Sequence, residues 1–160
     1  MRTITTTMVL TMLSLAGQVA TVYGAETPEQ VQAKRDQLRV AVQEFCPVSG
    51  QNLGSMGAPI KVTVGKEKEE VFLCCKGCLK GKINPEHWAT IHANIARAQG
   101  RCPIMKKELP EGAKWTVVKG EIVYVCCPPC IKKIAANPDE SLRQVDAYYT
   151  AYLRAKEQAR

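Results

Sequence analysis

The chain has 160 residues, eight cysteines and a formal net charge of +7. This length allows one small domain or two very small ones. The basic residues are scattered among acidic ones without interleaved aromatic residues, which argues against a nucleic-acid-binding surface.

The first element in chain order is a predicted export signal. Arg2 is followed by an apolar run over residues 8–17 and by small residues up to Gly24, which is the layout of a cleaved signal peptide. The run has about half of the roughly 20 apolar residues that a membrane-spanning helix needs. We therefore predict cleavage after Gly24, a secreted or periplasmic location, and a mature chain without an integral membrane segment. Loss of Arg2 lowers the net charge to +6.

Residues 25–45 predict a helix ahead of the first cysteine. Thr27 and Gln30 have the spacing of a capping box. Leu38, Val42 and Phe45 recur at helical spacing on one face. We expect this face to pack against the rest of the protein.

The rest of the chain contains two copies of one pattern, which we assign to residues 46–100 and 101–160. Each copy has a Cys-Pro pair, two short apolar runs around a turn, and a Cys-Cys-x-x-Cys cluster. The first copy reads Cys46-Pro-Val-Ser, then residues 60–65, then Val71-Phe-Leu-Cys-Cys-Lys-Gly-Cys78; the second reads Cys102-Pro-Ile-Met, then residues 115–120, then Val123-Tyr-Val-Cys-Cys-Pro-Pro-Cys130. The paired runs predict one β-hairpin per copy.

A short helical turn at each cluster and a longer helix after it are expected. Asn84-Pro85 and Asn137-Pro138 each supply an N-cap and a proline for the first helical position. The apolar stripes are Trp88, Ile91 and Ile95 in the first helix, and Leu142, Val145, Tyr149 and Tyr152 in the second. We predict an α+β fold of two tandem hairpin-and-helix modules that pack through their helices, since an isolated hairpin is not stable.

The hairpin of each copy folds the chain back, so that the first cysteine can approach the cluster. Thiolate sites of the zinc-ribbon and treble-clef kind are built from two such loops. The candidate metal ligands are Cys46, Cys74, Cys75, Cys78, Cys102, Cys126, Cys127 and Cys130.

The order Cys-Pro-Val, hairpin and aromatic-x-Cys-x3-Cys resembles the YHS and TRASH group of small heavy-metal-binding domains. The matching residues are Cys46, Cys74 and Cys78 in copy one, and Cys102, Cys126 and Cys130 in copy two. The resemblance implies that these six cysteines are the core ligands of two sites for a soft or borderline metal ion.

The fourth donor of each site stays open. YHS-type sequences often begin Cys-x-x-Cys, but Ser49 and Met105 stand at the second position here. Three thiolates suit Cu(I), which also accepts a Met thioether. Zinc prefers four ligands, which Cys75 or Cys127 could complete. His87 and His92 have no counterparts in copy two, and we interpret them as packing or surface residues.

Two other functions compete with metal binding, whose purpose would be storage, delivery, sensing or folding. Cysteines in a small exported chain often form disulfide staples. The Cys-x-x-Cys motifs after a strand also occur in thiol–disulfide oxidoreductases, but each unit repeats after 52 to 56 residues, which is short for a thioredoxin-like domain. Other catalytic motifs are absent from the sequence, so we do not predict an enzyme, and no protein partner is indicated.

Overall fold

The computed structural model describes residues 26–160 and confirms the α+β class. Its helices are α1 (Pro28–Gln43), α2 (Pro85–Gln99), α3 (Pro128–Ala136) and α4 (Pro138–Gln158), and a 3₁₀ turn spans Lys76–Lys80. Its strands are β1 (Ile60–Val64), β2 (Glu69–Leu73), β3 (Lys114–Val118) and β4 (Glu121–Val125). The predicted export signal, residues 1–24, lies outside the described residues.

Helix α1 begins where the capping box predicts. The backbone N–H of Gln30 donates to the Thr27 hydroxyl, and the Thr27 N–H donates to the Gln30 side chain. These bonds satisfy amide groups that the first turn of a helix leaves free. Val42 is buried and Leu38 packs against the same core, so the predicted apolar face is confirmed there.

The two hairpins have the predicted strands. In both, the first residue of one strand pairs with the last residue of the next. The second hairpin turns at Lys119 and Gly120, whose φ angles are +50° and +86°, as in a two-residue type I′ turn. Strand β4 is buried along its whole length, whereas β1 alternates between half-buried and exposed residues. Strand β2 is likewise buried at four of its five residues, and β3 is mostly half-buried or exposed, so the second strand of each hairpin is the one that faces the core.

The second cluster differs from the predicted short turn, because a nine-residue helix, α3, begins directly after Cys127. Two prolines open α3 with backbone angles preset for a helix, and its Ile134 is 1% exposed in the core. The corresponding stretch of copy one contains Gly77 and Gly81, which disfavour a helix. Only a 3₁₀ turn forms there, and residues 26–160 contain four α-helices instead of three.

The two predicted asparagine caps behave differently. The Asn84 side chain accepts hydrogen bonds from the N–H groups of Glu86 and His87 at the start of α2. Asn137 makes no such bond, because it also ends α3, where its N–H donates to the Ile134 carbonyl. Both asparagines thus stand at the predicted N-cap positions with a proline after them, but only Asn84 makes the side-chain capping bond.

The modules pack through their helices, as predicted. Helices α1, α2 and α4 contact one another, and their stripes are buried at Ile91, Leu142, Val145 and Tyr149. The hairpins also meet, since the Glu70 N–H donates to the Gly120 carbonyl over 2.7 Å.

Buried charges tie α1 to both modules. Arg35 Nε lies 2.9 Å from Asp146 Oδ2 on α4 and 3.5 Å from Glu121 Oε1 on β4. Arg39 Nη1 lies 3.1 Å from Glu70 Oε2 on β2. Because the acidic partners come from three different elements, this network fixes the orientation of α1.

The structural duplication includes the helix that precedes each first cysteine. Both α1 and α2 end in a residue of positive φ, Glu44 (+70°) and Gly100 (+60°), whose N–H closes the last helical turn. Isolated bridges then pair Phe45 with Asn52 and Arg101 with Glu108. Each structural unit is therefore a helix, a cysteine turn, a hairpin and a cluster, and α4 follows the second unit as a third long helix.

Candidate metal centres

The first candidate metal centre, triad one, is formed by Cys46, Cys74 and Cys78. Their sulfurs lie within 4.8 Å of one another, with 3.7 Å between Cys74 and Cys78. All three residues are buried, with exposed fractions of 0%, 1% and 8%. Thiolates bound to one ion at about 2.3 Å lie roughly 4 Å apart. The three sulfurs are thus already spaced so that one ion could bridge them.

The second centre, triad two, is formed by Cys102, Cys126 and Cys130. Its sulfurs also lie within 4.8 Å of one another, with 3.9 Å between Cys126 and Cys130. In both triads the first cysteine follows a helix, the second follows the hairpin, and the third lies four residues later in a helical turn. The hairpin supplies the chain reversal that the sequence predicts.

A tight turn holds the first cysteine of each triad. The Gly50 N–H donates to the Cys46 carbonyl over 2.9 Å, and Gly50 has a φ of +72°. In copy two the Lys106 N–H donates to the Cys102 carbonyl over 2.8 Å, with a φ of +55°. A positive φ is unfavourable for any residue with a Cβ, so copy two carries backbone strain that copy one avoids.

The same turn directs hydrogen-bond donors at the first sulfur. Burial opposes ionisation of Cys46, but the N–H groups of Ser49, Cys74 and Val48, together with the Ser49 hydroxyl, lower its pKa to about 6. In copy two burial is likewise outweighed, and the three equivalent N–H groups lower the pKa of Cys102. Donors to the anion favour it. Each triad therefore has one cysteine biased toward the thiolate, the form that binds metal.

The third cysteine of each triad retains its proton. Burial raises the pKa of Cys78 to about 12, and hydrogen bonds to Cys74 and Cys46 add to this effect. Burial and hydrogen bonds to its neighbours also raise the pKa of Cys130. A second negative charge beside the first sulfur is unfavourable. A bound cation would remove this repulsion and expel the proton.

Cys75 and Cys127, the accessory thiols, lie beside the triads. The Cys75 sulfur is 3.9 Å from each of two sulfurs of triad one. The Cys127 sulfur is 3.8 Å and 3.3 Å from two sulfurs of triad two. Neither joins the set of three mutually close sulfurs, and both residues are partly exposed.

The remaining candidates for a fourth donor are placed differently in the two copies. The Ser49 hydroxyl lies 3.3 Å from the Cys74 sulfur, so it reaches triad one as a hydrogen-bonding group. The Met105 side chain is 43% exposed, which places much of it in solvent. The accessory thiols, whose sulfurs lie 3.3 to 3.9 Å from triad sulfurs, are therefore the fourth donors for which the structure shows a close approach.

Both histidines lie on α2 in packing contacts outside the triads. The His87 ring packs edge-on against Phe45 at 5.9 Å between ring centroids. The His92 ring lies between Trp88 and Trp115, with centroid distances of 4.9 Å and 5.0 Å.

Two glutamines support the sites, although sequence reasoning did not identify them. Gln43 Oε1 accepts from the Phe72 N–H over 2.9 Å, and Gln43 Nε2 donates to the Phe72 carbonyl over 2.7 Å. Gln99 binds Tyr124 in the same way at 2.9 Å and 2.7 Å. Each glutamine holds the strand that delivers the second cysteine of its triad. The available signal was the Gln-x-x-Cys spacing, which occurs in both copies.

No family model, curated protein or solved structure matches the chain. Within residues 26–160, no helix combines the length and apolar character needed to cross a bilayer. The fold and the sites define an α+β protein with two cysteine triads positioned to bind metal ions.

Proposed function

We propose that this is an exported protein whose two YHS/TRASH-like modules each bind one soft or borderline metal ion through thiolates. The observation that carries the proposal is the convergence of three sulfurs from separate segments, found in both copies. Thiolate ligands select ions such as Cu(I) and zinc. Metal bound at these places would also crosslink small modules that bury little apolar surface on their own.

The sulfur geometry favours metal over disulfide staples. Disulfides join sulfurs in pairs, whereas each cluster brings three sulfurs together with a fourth close by. All eight cysteines are free thiols in the structure. A cation satisfies three or four converging sulfurs at once, which one disulfide does not.

The fold also favours metal over a thioredoxin-like enzyme. Such enzymes place their Cys-x-x-Cys motif in a βαβ unit with parallel strands. Both sheets in residues 26–160 are two-stranded and antiparallel. The thiol clusters thus stand in the context of a binding site built on hairpins.

The triads as they stand suit three-coordinate Cu(I). Cu(I) accepts low coordination numbers and soft donors, and three sulfurs are in place in each module. Zinc in a structural site takes four ligands, so it would draw Cys75 and Cys127 into the sites. The two metals therefore make different demands on the accessory thiols.

Positive charge around the clusters supports thiolate ligation. Residues 71–85 and 122–138 contain no acidic residue. The exposed lysines in and near these stretches are Lys76, Lys80 and Lys82 in copy one, and Lys106, Lys107, Lys132 and Lys133 in copy two. They would offset the negative charge that three thiolates leave on a bound monovalent or divalent ion.

The test is a titration of the reduced protein, kept free of oxygen, with Cu(I) or Zn(II) against a chromogenic chelator. We expect about two equivalents to bind, one for each triad. Replacing Cys78 or Cys130 by serine should each remove one equivalent, and the double variant should bind none. Uptake that is unaffected by these substitutions would refute the proposal.

The matched control is serine at the accessory thiols. Cys75→Ser and Cys127→Ser leave both triads intact, so Cu(I) uptake should stay at two equivalents. Zinc affinity should fall in the same variants if zinc recruits a fourth thiolate. Protein isolated from its own compartment with eight oxidised thiols and no metal would favour staples instead.

Export is tested on the chain's own N-terminus. Protein from fractionated cells should begin at Ala25 and should be found outside the cytosol. An intact Met1 in the cytosolic fraction would contradict this part of the proposal without affecting the metal sites.

A further inference from the structure

Each triad has one additional thiol that a simple three-sulfur site does not need. Cys75 and Cys127 are partly exposed, whereas the third triad cysteines, Cys78 and Cys130, are 8% and 2% exposed. The accessory and third cysteines are separated by two residues, with sulfurs 3.9 Å apart in copy one and 3.3 Å apart in copy two. Each site thus pairs an accessible thiol with a buried candidate ligand.

We propose that Cys75–Cys78 and Cys127–Cys130 are thiol–disulfide exchange sites, and that reaction with an external disulfide releases the bound metal. The substrate class is a disulfide, carried by a small molecule or by a protein. This inference rests on the proposed metal-binding function, because it assigns a release step to the same sites.

The reaction balances as two exchanges. The Cys75 sulfur attacks the external disulfide, breaks its S–S bond and forms a mixed disulfide, while one external thiol leaves with the Cys75 proton. The Cys78 sulfur, which would be a thiolate in the loaded site, then attacks the Cys75 sulfur, which forms the Cys75–Cys78 bond and releases the second external thiolate to be protonated by solvent. Two electrons pass from the cysteines to the external disulfide. Only Cys46 and Cys74 of triad one would then be left to hold the ion.

The geometry favours this pair over the other pairs in the cluster. Adjacent residues such as Cys74 and Cys75 have Cα atoms about 3.8 Å apart, below the roughly 4.4–6.8 Å that disulfides usually span. Cys46 and Cys74 are 0% and 1% exposed, so an external disulfide reaches Cys75 first. Cys78 is then the nearby sulfur at a suitable separation in sequence. In copy two, Cys126 is partly exposed like Cys127, but the Cys130 sulfur lies 3.3 Å from Cys127 and 3.9 Å from Cys126.

The two modules should differ in rate. The sulfurs of copy two start 0.6 Å closer, and Cys127 and Cys130 lie at the first turn of the regular helix α3, with prolines between them. In copy one, Lys76 and Gly77 separate the cysteines in a 3₁₀ turn. Less rearrangement is needed in copy two, so its metal should be released first.

The experiment loads the reduced full chain, kept free of oxygen, with two equivalents of Cu(I), which leaves Cys75 and Cys127 outside the three-sulfur sites, and adds oxidised glutathione in the presence of a chromogenic Cu(I) chelator. Cu(I) release without the disulfide gives the baseline for each variant. We expect disulfide-dependent release in two phases, with the faster phase lost in Cys127→Ser and the slower phase lost in Cys75→Ser. In each variant, disulfide-dependent release from the substituted module should be at least 10-fold slower than in the wild type. Peptide mapping of the wild type should show Cys75–Cys78 and Cys127–Cys130 bonds.

The outcomes separate this inference from the proposed function. Failure of the reduced wild type to take up either Cu(I) or Zn(II) would end both. Normal uptake without disulfide-dependent release, or release that is equally fast in the serine variants, would overturn only the exchange sites. Peptide mapping needs no variant, so bonds formed by other cysteine pairs would also overturn the inference if a variant failed to fold.

Discussion

The side-chain amide of Gln43 binds both polar backbone groups of Phe72, as a neighbouring strand would. Its oxygen accepts from the Phe72 N–H, and its nitrogen donates to the Phe72 carbonyl. Gln43 is 4% exposed, so water does not readily replace these bonds. Two residues later the chain reaches Cys74, which links this contact to triad one.

Gln43→Ala should therefore destabilise the protein. Each buried backbone group left without a partner costs about 1–3 kcal/mol, so we expect a loss of about 2–4 kcal/mol in the free energy of unfolding. Chemical denaturation of reduced, metal-free protein measures this loss. Gln37→Ala, at an exposed position of the same helix, is the matched control and should change stability by less than about 0.5 kcal/mol. Equal effects of the two substitutions would show that the Phe72 contact is unimportant.

This contact shows where sequence reasoning stops. The hairpins, the capping box and the buried stripes follow from local patterns that residues 26–160 bear out. The role of Gln43 depends on the docking of α1 against β2, which no local pattern specifies. For helix α3, the opening prolines and the lack of glycine are visible in the sequence, but the burial of Ile134 in the core is not.

The accessory thiols should be the first cysteines to react with an alkylating agent in the reduced, metal-free protein. The N–H groups of Cys78 and Gly77 lower the pKa of Cys75, and a hydrogen bond from Cys130 lowers that of Cys127. A lowered pKa means that more thiolate is present at a given pH, so their reaction rates should level off below the pH expected for a free thiol, about 8.5.

Pulsed labelling with iodoacetamide and peptide fragmentation measures this order. Cys46 is the internal control, because its pKa is also lowered, to about 6, but its side chain is fully buried. It should react much more slowly than Cys75. Faster labelling of Cys46 would mean that the turn around it opens readily.

The cysteine turns offer a paired test of backbone strain. An added Cβ at Gly50 would lie 2.8 Å from the His87 ring, and Gly50 also has a positive φ. Gly50→Ala should cost about 1–2 kcal/mol of stability, the usual cost of a left-handed residue, and should weaken metal binding at triad one while leaving triad two unchanged. Titration and denaturation measure the two effects.

The reciprocal substitution is Lys106→Gly in copy two. It removes a side chain from a positive-φ position, so it should raise stability by about 0.5–1 kcal/mol if the relief of strain exceeds the entropy cost of glycine.

His87→Ala combined with Gly50→Ala should recover the part of the loss that comes from the ring contact. If the effects of His87→Ala and Gly50→Ala on stability are additive, the contact between residue 50 and the His87 ring is excluded as a cause of the loss.

The choice among the cysteines marks a second limit of the sequence. All eight were candidates, and spacing alone leaves the positions of Cys75 and Cys127 open. The structure separates them because each third cysteine turns inward on a helical turn, while the accessory thiol stays at the rim of the cluster. The identity of a fourth donor depends on the coordination preference of the ion, which the polypeptide does not determine alone.

Glu121 should make stability depend on pH. Burial raises its pKa to about 7, although Arg39 and Arg35 oppose the shift. The ordinary value is 4.5, so the folded state binds a proton more tightly than the unfolded state. The stabilising contribution is complete below about pH 4.5 and is lost as pH rises through about 7.

Glu121→Gln removes this titration and keeps a side chain of similar shape. Asp146 also has a pKa raised by burial, and burial lowers that of His92, so the useful quantity is the stability difference between the wild type and the variant. The advantage of the wild type should shrink by about 3 kcal/mol between pH 4.5 and pH 8, at 1.36 kcal/mol for each unit of pKa shift. Urea denaturation of reduced, metal-free protein at several pH values measures it. A difference that stays constant, or grows with pH, would mean that the two arginines hold Glu121 ionised throughout.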